Sequence, residues 1–299
     1  MEKLYTDFCK YLKSRKKVSE NTLQSYKHDI HQFIVFSRTS GAQTIEEVDS
    51  KLIEKYLKSL QKQKLSDATI SRNLSCIRTF FKYMVTSKKL SFDPTIGIKN
   101  KKTAQKLPSV MTDEEVEALL IQPNLMTAKG KRDKAMLEVL YATGMRVSEL
   151  IALDIHDVNL DVGYIITGQN TKKERFVPLY PIAIKAISDY LEFARPTFFK
   201  SDTPSDALFL NASGQAMSRQ GFWKIIKAYT KNAKIEKDIT PITLRHSFAT
   251  HLLKNGADLN TIKDMLGHST ITSTKVYAKL LKSQYMNVYE HCHPRAKLR

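Results

Sequence analysis

The stretch IGIKNKKTAQKLPSVMTDEE, residues 96–115, breaks the chain in two. It carries four lysines and Pro108 and shows no apolar periodicity, so it cannot fuse the helices on either side into one element. Thr112 and Glu115 stand three residues apart, the spacing of a capping box that starts the next helix. A chain of 299 residues also exceeds what a single hydrophobic core ordinarily organises. The break therefore reads as a basic linker, residues 98–111, between a first domain, residues 1–97, and a second, residues 112–299.

The two parts carry different patterns. Before the linker the apolar residues follow a helical period throughout. Leu4, Phe8 and Leu12 form one stripe, and Leu23, Tyr26, Ile30, Phe33 and Ile34 a second. Ile53, Tyr56, Leu57 and Leu60 form a third, and Ile70, Leu74, Ile77, Phe80, Phe81 and Met84 a fourth behind the N-cap Ser66. This is a four-helix domain. After the linker, helices over 113–121 and 131–142 lead to Gly144, placed to end a helix, and a new helix begins near Arg146. VGYIIT (162–167) and RFVPL (175–179) are β-rich runs joined by a polar turn, a hairpin. Helices follow over 181–194, 218–233, 241–255 and 259–266. The fold class is mainly α with a small antiparallel sheet.

Charge separates the two parts further. The chain has 48 Lys+Arg against 30 Asp+Glu, a net charge of +18. Residues 1–106 hold 22 of the bases and only 10 of the acids, so two thirds of the excess lies in the first third of the chain. Such an excess fits a polyanion, nucleic acid before an acidic membrane surface. It also suggests a first domain that grips backbone phosphates, with Arg72 and Arg78 among the candidates, and a second that acts more locally. Cys9, Cys76 and Cys292 are few and far apart, which fits a reducing compartment and no disulfide framework or zinc site. The sequence HCH at 291–293 reads as exposed coil. No apolar leader and no membrane-length run is present, so a soluble, cytoplasmic protein is expected.

In ITPITLRHSFATHLL (239–253), Thr240 and Pro241 give an N-cap and proline at the first helical position. Leu244, Phe248 and Leu252 face the core. Arg245 falls in the first turns, where the helix dipole favours an anion, and its planar fork suits phosphate. Downstream, MLGHSTITSTKVYAK (265–279) places His268 in a turn after Gly267 and Tyr277 nine residues later.

With YATGMRVSELIAL (141–153) around Arg146, these segments resemble the tyrosine recombinases, most closely the Xer-type site-specific enzymes. ATGMRVSELIAL, TLRHSFATHLL and LGHSTITSTKVY look like the first arginine box, the second arginine box and the His-to-Tyr segment, in order. The helical first domain resembles that family's core-binding domain, and nothing like an arm-type domain precedes it, which favours the compact Xer architecture. The resemblance implies that Tyr277 attacks a DNA phosphodiester to form a 3′-phosphotyrosyl link and frees a 5′-hydroxyl, without ATP, metal or other cofactor. Arg146 and Arg245 would clamp the non-bridging oxygens, and His268 would donate a hydrogen bond to them. Glu149 either holds Arg146 by an ion pair or is a surface residue. His246 is expected to support Arg245.

Two positions depart from the family pattern. The usual hairpin lysine aligns with Asn170 in TGQNTKKERFVP. Lys172 lies two residues on, on the same face of an extended strand and about 6–7 Å away. It is the candidate general acid, ahead of Lys173 on the opposite face. The second departure is Ile242, where the family places a proton-handling residue. A lost acid–base group costs on the order of 10²–10⁴-fold, so a slow enzyme is expected rather than a dead one.

The expected partner is a double-stranded recombination site held by a homo- or heterotetramer, in chromosome partition or in element integration. The tail 283–299 packs either on a neighbouring protomer or on its own domain. The alternatives are a catalytically impaired paralogue that only binds DNA, which Ile242 and Asn170 favour, and an RNA-binding helical protein, which explains the charge but not the boxes.

Overall fold

A computed structural model describes residues 1–14, 18–100, 108–169, 174–200 and 205–280. Contacts divide the chain into two compact units, Met1–Gln105 and Lys106–Arg299.

The first unit contains α1 (Glu2–Ser14), α2 (Glu20–Thr39), α3 (Ser50–Lys62) and α4 (Asp67–Thr86). Three of them start on capping side chains: Ser19 accepts from the Thr22 amide, Asp49 from Leu52 and Ser66 from Thr69. Their stripes close on one core that includes Phe8, Leu12, Ile30, Phe33, Ile53, Tyr56, Leu74, Ile77, Phe80 and Phe81. Arg72 pairs with the buried Asp29 at 3.0 Å, and Arg78 donates to the Ile98 carbonyl.

The second unit runs α5 (Asp113–Leu120), α6 (Ala128–Thr143), α7 (Val147–Leu150), β1 (Val158–Asn159), β2 (Tyr164–Thr167), β3 (Arg175–Pro178), α8 (Pro181–Phe193), α9 (Arg219–Asn232), α10 (Pro241–Lys254) and α11 (Leu259–Leu266), with residues 275–280 helical again. The Thr112–Glu115 capping box is formed. The sheet is antiparallel in the order β1-β2-β3, with Ile165 opposite Val177 and Thr167 opposite Arg175. The expected hairpin is thus β2–β3. The added strand β1 is two residues long, set by pairing with β2 rather than by any period of its own. The hairpin turn with Asn170, Lys172 and Lys173 lies outside the described residues, as do Cys292 and the tail.

α6 and α8 sit at the centre of the larger core, with Met136, Leu140, Ile187 and Tyr190 buried. A smaller cluster of Phe248, Ala249, Ile262, Leu266 and Tyr277 joins α10, α11 and the helical residues 275–280.

Candidate active site

The residues of the three sequence boxes converge because two helices end in left-handed glycines. Gly144 caps α6 at φ 57° and turns the chain into Arg146. A Cβ there would lie 2.2 Å from Phe248, so both the backbone and the packing require glycine. Gly267 caps α11 at φ 62° and turns the chain into His268. A Cβ at Gly267 would lie 2.8 Å from an Arg175 nitrogen.

The end of α11 organises the cations. Its last carbonyls have no helical partner, and three consecutive ones each accept from a different arginine. Arg175 Nε donates to Met265 at 2.7 Å, Arg245 Nη2 to Leu266 at 2.7 Å and Arg146 Nη2 to Gly267 at 3.4 Å. The negative end of the helix dipole favours this arrangement. Arg245 also donates from Nη1 to the Gly144 carbonyl at 2.6 Å. Glu149 pairs with Arg146 at 3.0 Å and with Arg175 at 2.9 Å, and its carboxylate accepts from the Arg146 amide at 2.8 Å. Glu149 is therefore a strut for Arg146 and not a surface residue. Burial opposes its ionisation, but these hydrogen bonds and both guanidinium charges hold its carboxyl below the ordinary range.

Two of the three guanidiniums, Arg146 and Arg175, thus share one carboxylate. Arg245 is 7% exposed and, among the described residues, forms no ion pair. Burial and then the Arg146 charge lower its pKa to about 10, so it stays charged at neutral pH. A buried cation held only by carbonyls is costly until an anion joins it.

His268 and Tyr277 complete the group. The His268 Nδ1 lies 3.0 Å from the Thr274 hydroxyl. With that hydroxyl donating, the neutral ring carries its proton on Nε2, the atom left to donate to a phosphate. Burial, then Arg245 and Arg146, lower its pKa to about 4. Tyr277 is 2% exposed in the apolar cluster, so its ring is a packed aromatic as well as a candidate nucleophile. Burial raises its pKa, and Arg245 and Arg146 partly offset this.

One expected contact differs. The sequence places His246 next to Arg245 as its expected support. Its Nδ1 instead lies 3.1 Å from the Tyr277 hydroxyl, while Arg245 is held by carbonyls. α10 imposes this, because adjacent helical residues diverge by a large angle and cannot share one contact. His251 is a core histidine, its Nε2 donating to the Met111 carbonyl and its Nδ1 facing the Tyr141 hydroxyl. Ile242 is 65% exposed and lines a groove with Met145, Val147 and Trp223 beside Arg146 and Arg245.

Arg175 and Thr274 belong to the site without a role that the sequence alone suggests. The sequence signal for Arg175 is its place at the end of the Lys-Glu-Arg run at 173–175, which the family's hairpin pattern shares. No group of metal-ligating side chains occurs among the described residues.

The Phage integrase family matches residues 109–284, and the Phage integrase, N-terminal SAM-like domain matches residues 6–88. The chain is 42% identical over 297 residues to tyrosine recombinase XerD of Listeria innocua, spanning 99% of this chain and 100% of that one. It is 42% identical over 296 residues to tyrosine recombinase XerD of Staphylococcus epidermidis, with the same coverage of 99% and 100%. In fold it is similar to XerH site-specific recombinase bound to palindromic difH substrate in a post-cleavage complex. That match has a TM-score of 0.76 at 23% identity over 96% of this chain and 83% of that one.

Proposed function

Because the chain belongs to the phage integrase family and is a tyrosine-type site-specific DNA recombinase, we propose that it cuts and rejoins DNA strands through Tyr277. The observation that carries this assignment of residues is the buried, carboxylate-free Arg245 within the group that holds Arg146, His268 and Tyr277. A scissile phosphate would supply the missing anion. Arg146 and Arg245 would bind its non-bridging oxygens and offset the charge that builds in the transition state. His268 would donate through Nε2. Tyr277 would attack phosphorus, its oxygen forming the new P–O bond while the bond to the 5′-oxygen breaks. Lys172 would protonate that leaving oxygen. The exchange conserves a phosphoester and draws on no other energy source.

Residues 1–97 would grip the duplex and residues 112–299 hold the chemistry, joined by the basic segment 98–111. Four protomers would act on two duplexes, in the cytoplasm, at a chromosomal or mobile-element site. One assay on a nicked duplex of a cognate site, which traps the cleaved state, tests these assignments. The parental protein is expected to form a covalent adduct, and Tyr277→Phe none. Lys172→Ala is expected to slow cleavage by about 10²–10⁴-fold. The trapped synaptic complex is expected to sediment with four protomers. DNA retention without any adduct would instead favour a protein that only binds DNA, and a parental rate in Lys172→Ala would reject that residue as the acid.

A further inference from the structure

Ile242 raises a question that the site leaves open: where does the Tyr277 proton go if the expected proton carrier is isoleucine? One turn farther along α10, His246 Nδ1 lies 3.1 Å from the Tyr277 hydroxyl, with ring centroids 5.6 Å apart. Both rings are largely withdrawn from solvent, so bulk water is poorly placed to take the proton. A nucleophile and a basic nitrogen within hydrogen-bond reach form the usual signature of an activated hydroxyl.

We propose that His246 is the general base that accepts the Tyr277 proton during cleavage and returns it during religation. This inference rests on the reading of Tyr277 as nucleophile. As the Tyr277 oxygen bonds to phosphorus, its proton passes to Nδ1 and the ring becomes an imidazolium with its other proton on Nε2. The P–O5′ bond breaks, and the 5′-oxygen takes a proton from the general acid. Religation runs the same steps backwards: the 5′-hydroxyl attacks phosphorus, and His246 protonates the departing tyrosine oxygen.

The charged groups around His246 make this transfer conditional on substrate. Arg245 adjoins it on α10, and His268 from the turn after α11 is close enough for their charges to interact. Burial and the Arg245 charge keep the ring neutral in the free protein, which leaves Nδ1 available to accept. A second positive charge beside Arg245 is unfavourable until the scissile phosphate brings its negative charge. The base therefore works when DNA is in place and stays idle otherwise. In this way a neighbouring histidine compensates for Ile242.

The test compares parental protein, His246→Gln and His246→Ala in single-turnover cleavage of the nicked duplex. Glutamine keeps a hydrogen-bonding group near Tyr277, and alanine leaves room for added imidazole. Both variants are expected to bind DNA with parental affinity and to cleave about 10²–10⁴-fold more slowly near pH 7. The parental rate is expected to be level with pH above the His246 titration, whereas His246→Gln gains rate steadily as hydroxide replaces the base. Imidazole is expected to restore His246→Ala by about tenfold or more. A purely structural role would alter neither the pH profile nor the imidazole response. Rates within about threefold of parental, or faster, would overturn the proposal. So would slow variants that show a parental pH profile and no imidazole rescue. Failure of the parental protein to form any adduct would instead refute the assignment of Tyr277.

Discussion

Arg245 and His268 show how burial and like charge prepare a site for an anion. Both are pushed toward their neutral forms by the same two causes, yet only the histidine gives up its proton at neutral pH. His268 therefore couples stability to acidity. Its folded-state pKa of about 4 lies below the ordinary histidine value of about 6.5, so the unfolded chain binds the proton first. The stabilisation is complete above about pH 6.5 and is lost as the pH falls toward 4. His246, shifted in the same direction, adds to it. The melting temperature of the DNA-free protein is expected to fall over that window and to fall less steeply in His268→Gln. An equal slope in the two proteins would contradict the assigned shift. At this scale the sequence was informative about identity and silent about partners. Arg146, Arg245, His268 and Tyr277 are recognisable from their boxes. The contact between His246 and Tyr277 spans 31 positions, and no local period encodes it.

The elements explain why the boxes meet. α11 is only eight residues long, but the carbonyls of its last two residues and of its cap Gly267 hold three arginines drawn from β3, α10 and the N-cap of α7. Gly267 makes this possible twice over, by adopting a left-handed backbone and by leaving space for Arg175. Gly267→Ala is expected to cost about 1–2 kcal/mol from the backbone alone. Displacement of Arg175 should then loosen Glu149 and Arg146, and cleavage should fall by more than DNA affinity does. Denaturant melts and single-turnover rates check both parts, and unaltered cleavage would show that the Arg175 contact is dispensable. Helix starts were legible because Thr112, Ser66 and Thr240 cap their helices through side chains within three residues. β1 was not, because a two-residue strand exists only through its pairing with β2. The role of Arg175 was hidden for the same reason, since its partners lie 26 and 90 positions away.

For the whole molecule, charge and chemistry divide between two units. Two thirds of the net charge of +18 lies in residues 1–106, the helical domain together with the linker lysines, while the carboxylate-poor cationic cluster lies after them. Among the described residues no helix is long and apolar enough to cross a membrane. The spread of basic charge and the cationic cluster suit a protein that holds a polyanion broadly and acts on one phosphate. The assignment of Tyr277 as nucleophile is tested most directly by which atom joins the DNA. Lys275 and Lys279 bracket Tyr277, so trypsin should release it in a short peptide, residues 276–279. Mass spectrometry of the digested, nuclease-trimmed adduct is expected to find that peptide carrying a 3′-linked nucleotide on Tyr277. A nucleotide on any other residue, or none on an adduct that forms, would contradict it.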